Sequence, residues 1–301
     1  MDKTWQNWLA KRFQFSQQKQ LSQKDVLVFI YQQGYLFLVL IFITFIAGVN
    51  YANNLILGFC FLISAVLCVS FYLTFKQLHD LNIEMVAEDV GQVGHALNLH
   101  FYFQQATARP RYLYIKAGNQ LEKVYLSEQK QHWVLPFYAE RRGKFEYPVI
   151  QIYSVYPFGL VRAWTYLYHH QFAWVAPKAQ NNTSENKIYQ NSFEPDMDEF
   201  RELRNYQSGD SLQAVSWKQF ARGQGLYVKV FEQYQDEHSF EIHYEHMPSQ
   251  SYEEKLGLMM GLIEQFEQQQ CAYALHLPQA ELPQGAGEEQ LRKAKQLLAQ
   301  A

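Results

Sequence analysis

The most distinct hydrophobic pattern in the chain is an uninterrupted apolar region near the N-terminus. Between Asp25 and Lys76 lie fifty consecutive residues without Asp, Glu, Lys, Arg or His. The region holds two apolar segments, residues 26–49 and 55–75, and each reaches the ~20 residues with which a helix crosses ~30 Å of hydrocarbon. Only residues 50–54 separate them. The pattern predicts a transmembrane hairpin of two helices that carries a large soluble remainder.

Residues 1–25 form a polar segment in which apolar side chains recur at helical spacing. These side chains are Trp5, Trp8, Leu9 and Phe13, and basic residues lie between them. Such a helix lies either at the membrane interface, with its aromatic rings at the headgroups, or against the soluble domain. For the first apolar segment, a cleavable signal peptide is the competing interpretation. The polar segment, and a first span longer than the apolar region of a signal peptide, argue against it.

Basic residues near the two apolar segments predict the orientation. Five Lys and Arg precede the first segment, Lys76 follows the second, and the connecting loop has none. Basic residues keep short flanking segments on the cytoplasmic side. We therefore expect an integral protein of a bacterial inner (plasma) membrane, in contact with the lipid bilayer, whose termini and soluble domains are cytoplasmic.

From residue 81 to 178 the pattern consists of short alternating runs rich in aromatic and β-branched residues. Examples are residues 112–115, 133–137, 147–153 and 172–175. Alternation with a period of two is typical of strands, and Gly or Pro interrupts the pattern between runs. This spacing favours an antiparallel β-sandwich of immunoglobulin-like size.

The pattern changes again in the C-terminal part, residues 191–301, after a polar stretch that predicts an exposed loop or hinge. Strand, helix, strand and helix follow in that order, at residues 239–244, 252–269, 271–277 and 288–299. This order at these lengths implies a parallel α/β unit with a right-handed crossover.

Charge and cysteine content narrow the classes of function. The formal net charge is −3, and nucleic-acid binding requires a clustered basic surface, so no nucleic-acid partner is expected. Cys60 and Cys68 lie in the second apolar segment and Cys271 stands alone, so no disulfide framework is predicted. His243 and His246 are three residues apart on a predicted strand and should point to opposite faces. No metal site or cofactor is therefore predicted.

Most candidate functional residues of the chain lie in residues 199–232. The charged, aromatic and turn-forming residues of this segment are candidates for a partner-binding site or for a structural motif. They are Arg201, Arg204, Tyr206, Gly209, Asp210, Trp217, Lys218, Arg222 and Lys229. Residues 208–210 predict a turn, followed by a helix and then a strand. The motif is either a pocket for an anion or partner, or a salt-bridged latch between the two soluble regions with Trp217 as its packing centre.

This motif resembles the signature of the uncharacterised bacterial family called domain of unknown function fifty-eight. The similar elements are, in order, Phe200, Leu203-Arg204, Tyr206, Gly209-Asp210, Trp217-Lys218, Ala221-Arg222 and Val228-Lys229. Residues 142–143 and 156–160 are similar to the sandwich region of that family, and the paired apolar segments are similar to its spans.

The resemblance implies a MoxR-type ATPase of the AAA class as a partner and a von Willebrand A-like C-terminal domain. Such a domain carries an Asp-x-Ser-x-Ser metal site after its first strand, whereas residues 245–249 are Glu-His-Met-Pro-Ser. The resemblance therefore implies a truncated domain without that divalent-ion site. The expected fold class is α+β multidomain, with a two-helix transmembrane hairpin, an immunoglobulin-like β-sandwich and a truncated von Willebrand A-like α/β unit.

Two functions of different classes are compatible with these features. The first is a membrane-anchored, cytoplasmic-facing adaptor or scaffold that presents its domains to such an ATPase or to a client. The second is a membrane-bound enzyme with an anion-binding site formed by residues 199–232. The adaptor is preferred, because the sequence contains no convergent nucleophile and base and predicts no catalytic residue. The client and the oligomeric state are not predicted.

Overall fold

The computed structural model describes residues 12–180, 200–207, 217–223, 227–231 and 239–301. The chain divides into two compact units, the first ending at Ala176 and the second beginning at Pro177. Within the described residues, strands pair only inside their own unit. Both units combine helices with strands, which confirms the α+β class.

Two apolar helices lie near the N-terminus, α1 (Gln32–Asn50) and α2 (Asn54–Leu78). Their 19 and 25 residues correspond to lengths of about 28 and 37 Å at the rise of an α-helix. Only 11% of the most apolar window of α1 and 22% of that of α2 are buried within the protein. They are therefore not buried core helices. The prediction of two helices long and apolar enough to span a membrane is confirmed.

The first helix begins later than predicted, because the apolar run starts with a strand. Strand β2 (Leu27–Ile30) pairs antiparallel with residues 161–164, and the helix begins at Gln32 rather than at residue 26. An apolar run alone does not distinguish a buried strand from a helix. The sheet partner of β2 lies more than a hundred residues later in the sequence, and pairing with it makes residues 27–30 a strand rather than the first turn of the helix.

Residues 12–25 pack with the strands that follow the helices. Strand β1 (Gln18–Gln20) pairs antiparallel with residues 82–84. Phe13 is 0% exposed and contacts Tyr166 edge to face, with ring centroids 5.9 Å apart. Of the two predicted environments for this segment, the structure places Phe13 in the protein interior. Trp5, Trp8 and Leu9 lie outside the described residues.

The β part of the first unit, which we call the β unit, comprises residues 12–30 and 82–176. Its other strands are β3 (Asn82–Ala87), β4 (Val90–Gln92), β5 (Ala96–Gln104), β6 (Arg111–Ala117), β7 (Gln120–Leu126), β8 (Lys130–Tyr138), β9 (Gly143–Glu146), β10 (Ile150–Ser154), β11 (Val161–Leu167) and β12 (Phe172–Ala176). The sheets have the orders β1-β3-β5-β8, β2-β11-β10-β6-β7 and β4-β12-β9. All these pairs are antiparallel except β4–β12, which confirms the predicted antiparallel sheets.

One hydrophobic core is shared by these sheets. Met85 and Phe101 from the four-stranded sheet and Ile115 and Ile152 from the five-stranded sheet all belong to it and are 0% exposed. The residues between them along each strand are more exposed, because successive side chains of a strand point to opposite faces. Burial at alternate positions accounts for the period of two in the sequence.

The second unit contains two described sheets. The first is the antiparallel pair β13 (Phe200–Asn205) and β14 (Tyr227–Phe231), with the short helix α3 (Trp217–Phe220) between them in sequence. The second consists of β15 (Ser239–His243), β16 (Ala272–His276) and β17 (Glu281–Gly285), with helix α4 (Tyr252–Gln268) between the first two and α5 (Glu288–Gln300) at the end.

The order of strand, helix, parallel strand and helix agrees with the prediction to within two residues. Strands β15 and β16 pair in parallel, and β17, which was not predicted, adds antiparallel to β16. The apolar side chains Leu256, Met260 and Ile263 lie on one face of α4 and are 0% exposed. Phe266 of that helix stacks on Phe240 of β15, with ring centroids 4.3 Å apart. The crossover helix therefore covers one face of the parallel pair.

Candidate functional site

The helical hairpin is attached to the β unit at the start of α1 and near the end of α2. Tyr31, between β2 and α1, donates its backbone N–H to the Leu160 carbonyl at 2.8 Å. Gly34 lies so close to that carbonyl that an added Cβ would overlap it. Thr74 of α2 donates its hydroxyl to the Tyr156 carbonyl at 3.0 Å. The loop between β10 and β11 therefore packs against both helices.

The C-terminus of α2 is capped by Arg111, the first residue of β6. Arg111 is 1% exposed, and its Nη1 donates to the carbonyls of Gln77 (2.7 Å) and His79 (2.9 Å). Its Nε donates to Oε1 of Gln105 at 2.9 Å. The last carbonyls of a helix lack partners within it and carry the negative end of its dipole. Burial and the nearby Arg109 lower the pKa of Arg111 to about 10, so it caps the helix as a cation at neutral pH.

Strands β13 and β14 carry three cations of the signature motif. In their register Leu203 lies opposite Lys229, and Arg204 lies opposite Val228. Arg204 and Lys229 therefore belong to neighbouring cross-strand pairs. Arg201 falls at a shift of this register. Strand β14 agrees with the strand predicted after the turn and helix of the motif, whereas β13 was not predicted. The pairing brings the two halves of the motif together.

The remaining motif residues are only partly described. Tyr206 is half-buried and Arg222 is exposed, and Lys218 lies on α3. Gly209 and Asp210 lie outside the described residues. The choice between a pocket and a latch therefore stays open.

Two aromatic side chains of α3 are exposed. Trp217 is 56% exposed and Phe220 is 50% exposed, and their rings meet edge to face with centroids 6.2 Å apart. The role of Trp217 as the packing centre of a latch between the two soluble regions stays a prediction. Val228 of β14, at 5% exposed, is buried. Aromatic residues are enriched where proteins bind partners, so this pair is a candidate contact surface.

Three side chains that could hold a metal converge on one face of the sheet β15–β16–β17. Glu241 and His243 lie two residues apart on β15, and His276 lies opposite His243 on the parallel strand β16. Nε2 of His243 is 3.0 Å from Oε2 of Glu241. The two imidazole rings stack with centroids 4.4 Å apart, and one ligand atom of each residue lies within 4.8 Å of the others. We call these three residues the His/Glu cluster.

The His/Glu cluster was not predicted, because the spacing of His243 and His246 on one predicted strand gave no common face. The strand ends at His243, and residues 244–246 form a 3-10 turn that brings the two rings to a centroid distance of 4.9 Å. The expectation that these two side chains point away from one another is therefore wrong. The spacing of two between Glu241 and His243, with His276 ending the next parallel strand, could have indicated the cluster.

Comparisons with known proteins do not assign the chain to a class. No protein-family model and no curated protein matches it. The resemblance to domain of unknown function fifty-eight rests on the order of the signature residues in this chain.

Proposed function

We propose that the protein is a membrane-anchored adaptor or scaffold that presents its soluble units at the cytoplasmic face of a bacterial inner membrane. In this proposal α1 and α2 cross the bilayer. Leu36 and Phe42 of α1 are 73% and 65% exposed, and Leu55 and Phe61 of α2 are 83% and 67% exposed. Large continuous apolar surfaces of this kind are rare on soluble proteins. Lipid is the environment that fits them.

The observation that carries the proposal is the attachment of the hairpin to the β unit. A passive anchor needs only a flexible linker, whereas these helices contact the β unit through Tyr31, Gly34, Thr74 and the buried cation Arg111. These contacts hold the β unit in a defined orientation to the helices. A protein that presents a binding surface at a membrane requires such a defined orientation.

We also propose an immunoglobulin-like fold for the β unit and a truncated von Willebrand A-like fold for residues 239–301. The first is supported by the core shared between antiparallel sheets of short strands. The second is supported by the parallel pair β15–β16 with its crossover helix α4.

The proposed partner is a MoxR-type ATPase of the AAA class, with the chain as a member of the domain of unknown function fifty-eight family. The order of the signature residues supports the family. The exposed pair Trp217 and Phe220 supports partner binding, rather than a structural latch, as the role of the motif. Buried aromatic anchors dominate the binding energy of many interfaces, where losing one costs ~2 kcal/mol or more.

The alternative, a membrane-bound enzyme with an anion site in residues 199–232, has less support. Active sites collect groups with strongly shifted pKa values in one cleft. Burial raises the pKa of Tyr147, which donates to the Glu88 carbonyl at 2.9 Å. Burial likewise raises the pKa of Tyr273, which donates to Oε1 of Glu267 at 3.1 Å. Neither tyrosine belongs to residues 199–232, and each has a structural hydrogen-bond partner, as expected of packing residues.

Co-purification from native membranes tests the adaptor proposal. The full chain, solubilised in mild detergent, should retain an AAA ATPase in a fixed ratio. Trp217→Ala combined with Phe220→Ala should weaken that binding by ~30-fold or more, the equivalent of ~2 kcal/mol. The matched control is Tyr138→Ala, which removes a 63% exposed aromatic side chain of β8 and should leave binding unchanged. An intact chain that retains no ATPase, or equal loss in both variants, would contradict the proposal.

A further inference from the structure

The sheet β15–β16–β17 has two faces of different character. Ile242 and Leu275, which are paired neighbours on β15 and β16, are 1% and 0% exposed. The alternate positions Glu241, His243 and His276 belong to the other face, because successive strand residues point to opposite sides. These three polar side chains are half-buried or exposed, so solvent and ions reach them.

We propose that the His/Glu cluster binds a divalent metal ion of the zinc class. Two imidazole nitrogens and a carboxylate oxygen are a known zinc ligand set, with zinc–ligand distances of ~2.0–2.2 Å. Ligand atoms on a tetrahedral ion then lie roughly 3.3–3.5 Å apart. The ligand atoms of the cluster lie within 4.8 Å of one another. Small side-chain rotations on fixed strand positions close this difference.

The side chains are free enough to make these rotations. The Glu241 side chain is 61% exposed, and the side chains of His243 and His276 are 33% and 31% exposed. Their backbones are held by the parallel ladder of β15 and β16. Functional constellations on strands keep their geometry better than those on loops. The strands therefore fix the backbone positions of the three residues, and rotation about the side-chain bonds can bring their ligand atoms to metal-binding distances.

A fourth ligand position is provided from β17. Glu281 lies opposite His276 in the antiparallel register, and its Oε1 is 3.7 Å from Nδ1 of His276. Either this carboxylate or a water molecule completes a tetrahedral site. Imidazole ligands select zinc, nickel or copper, whereas magnesium requires near-octahedral oxygen ligands. The cluster should therefore discriminate against magnesium.

The location of the cluster in the fold also favours a binding site. His243 and His276 are the last residues of two adjacent parallel strands. In open α/β sheets, ligands bind at the carboxyl ends of the strands. An ion held there cross-links β15 to β16 and stabilises the folded second unit by mass action. This inference does not depend on the adaptor function.

Zinc titration of the full chain tests the site. The protein is purified in detergent without a polyhistidine tag, is freed of metal with a chelator, and is then titrated with zinc by calorimetry. Cobalt serves as a second probe, because its visible spectrum reports tetrahedral coordination. We expect one tight site per chain, for zinc and cobalt but not for magnesium. His276→Gln and Glu241→Gln should each weaken zinc binding by at least ~100-fold, the upper end of the loss caused by removing an outer-shell partner.

The matched control is His95→Gln, which removes an exposed histidine of the β unit and should leave the tight site intact. Circular dichroism of the metal-free variants checks that they fold, and a zinc-dependent rise in Tm should occur in the wild type and be absent in Glu241→Gln. The proposal is overturned if the wild type binds zinc no more tightly than His276→Gln, or if His95→Gln loses as much affinity as the cluster variants.

Discussion

Replacing Arg111 with methionine removes the cation that caps α2 but keeps a long apolar side chain. Arg111 makes hydrogen bonds to three backbone carbonyls and to Gln105. Hydrogen bonds to charged groups contribute ~1.5–3 kcal/mol each, and a buried carbonyl left without a partner costs ~1–3 kcal/mol. Three carbonyls lose one shared donor group, and such costs are not additive, so the sum of about two unpaired carbonyls, ~3–5 kcal/mol, is the guide. We expect Arg111→Met to destabilise the first unit by about 3–5 kcal/mol.

Thermal unfolding of the full chain, followed by circular dichroism in detergent, measures this effect. A loss of 1 kcal/mol lowers Tm by ~2–4 °C in a unit of this size, so Tm should fall by roughly 6–20 °C. The control is Arg141→Met, which alters an exposed arginine and should change the stability by less than ~0.5 kcal/mol. Amide hydrogen exchange around residues 76–81 should accelerate in Arg111→Met alone. Identical melting of the two variants would refute the reasoning.

Three further outcomes follow from particular contacts. Gly34→Val should lower Tm because its Cβ would overlap a backbone carbonyl of the β10–β11 loop, whereas Gly58→Val, with nothing within 4 Å of an added Cβ, should melt like the wild type. Burial alone would raise the pKa of Asp25, but hydrogen bonds, chiefly from Lys19, lower it below the ordinary value of 3.8. Asp25 therefore stabilises the fold at neutral pH, and the Tm difference between wild type and Asp25→Asn should shrink as the pH falls below that value. Magnesium should leave Tm nearly unchanged, and a saturable rise abolished by Glu245→Ala would contradict this expectation.

The two apolar helices and most strands could be predicted because each carries its own local signal. The bounds predicted for α4, residues 252–269, differ from the observed ones by a single residue. Leu256, Met259 and Ile263 recur at helical spacing, and all three are 0% exposed. The strands of the β unit alternate in the same direct way. Periodicity was sufficient wherever one face of an element is buried and the other is not.

Other strands lacked such a signal. Strand β2 is apolar on both faces, including Phe29, which is 57% exposed, so its sequence merges with that of α1. Strand β17 contains Pro283 and lies at the edge of its sheet, where proline is tolerated because no partner strand needs its N–H. In both cases the pairing partner, rather than the local sequence, determines the structure.

The candidate sites depended on contacts that the sequence does not contain. Arg111 and Gln77 are 34 residues apart, and nothing in the local sequence around Arg111 indicates a helix cap. The His/Glu cluster depends on the register that sets His276 beside His243. Trp217, named as the packing centre of the latch alternative, has a side chain that is 56% exposed. Exposure of that kind can be recognised only once the neighbours are placed.

The central claim is that the hairpin holds both termini and both soluble units in the cytoplasm. Reporter fusions in bacterial cells test it directly, with alkaline phosphatase or green fluorescent protein joined before Met1 or after Ala301. Phosphatase becomes active only outside the cytoplasm, and an insertion after Ala52, in the turn between the helices, serves as its positive control. The account predicts fluorescent but phosphatase-inactive fusions at both ends, because six basic residues flank the spans and none lies between them. Active phosphatase after Ala301 would contradict it.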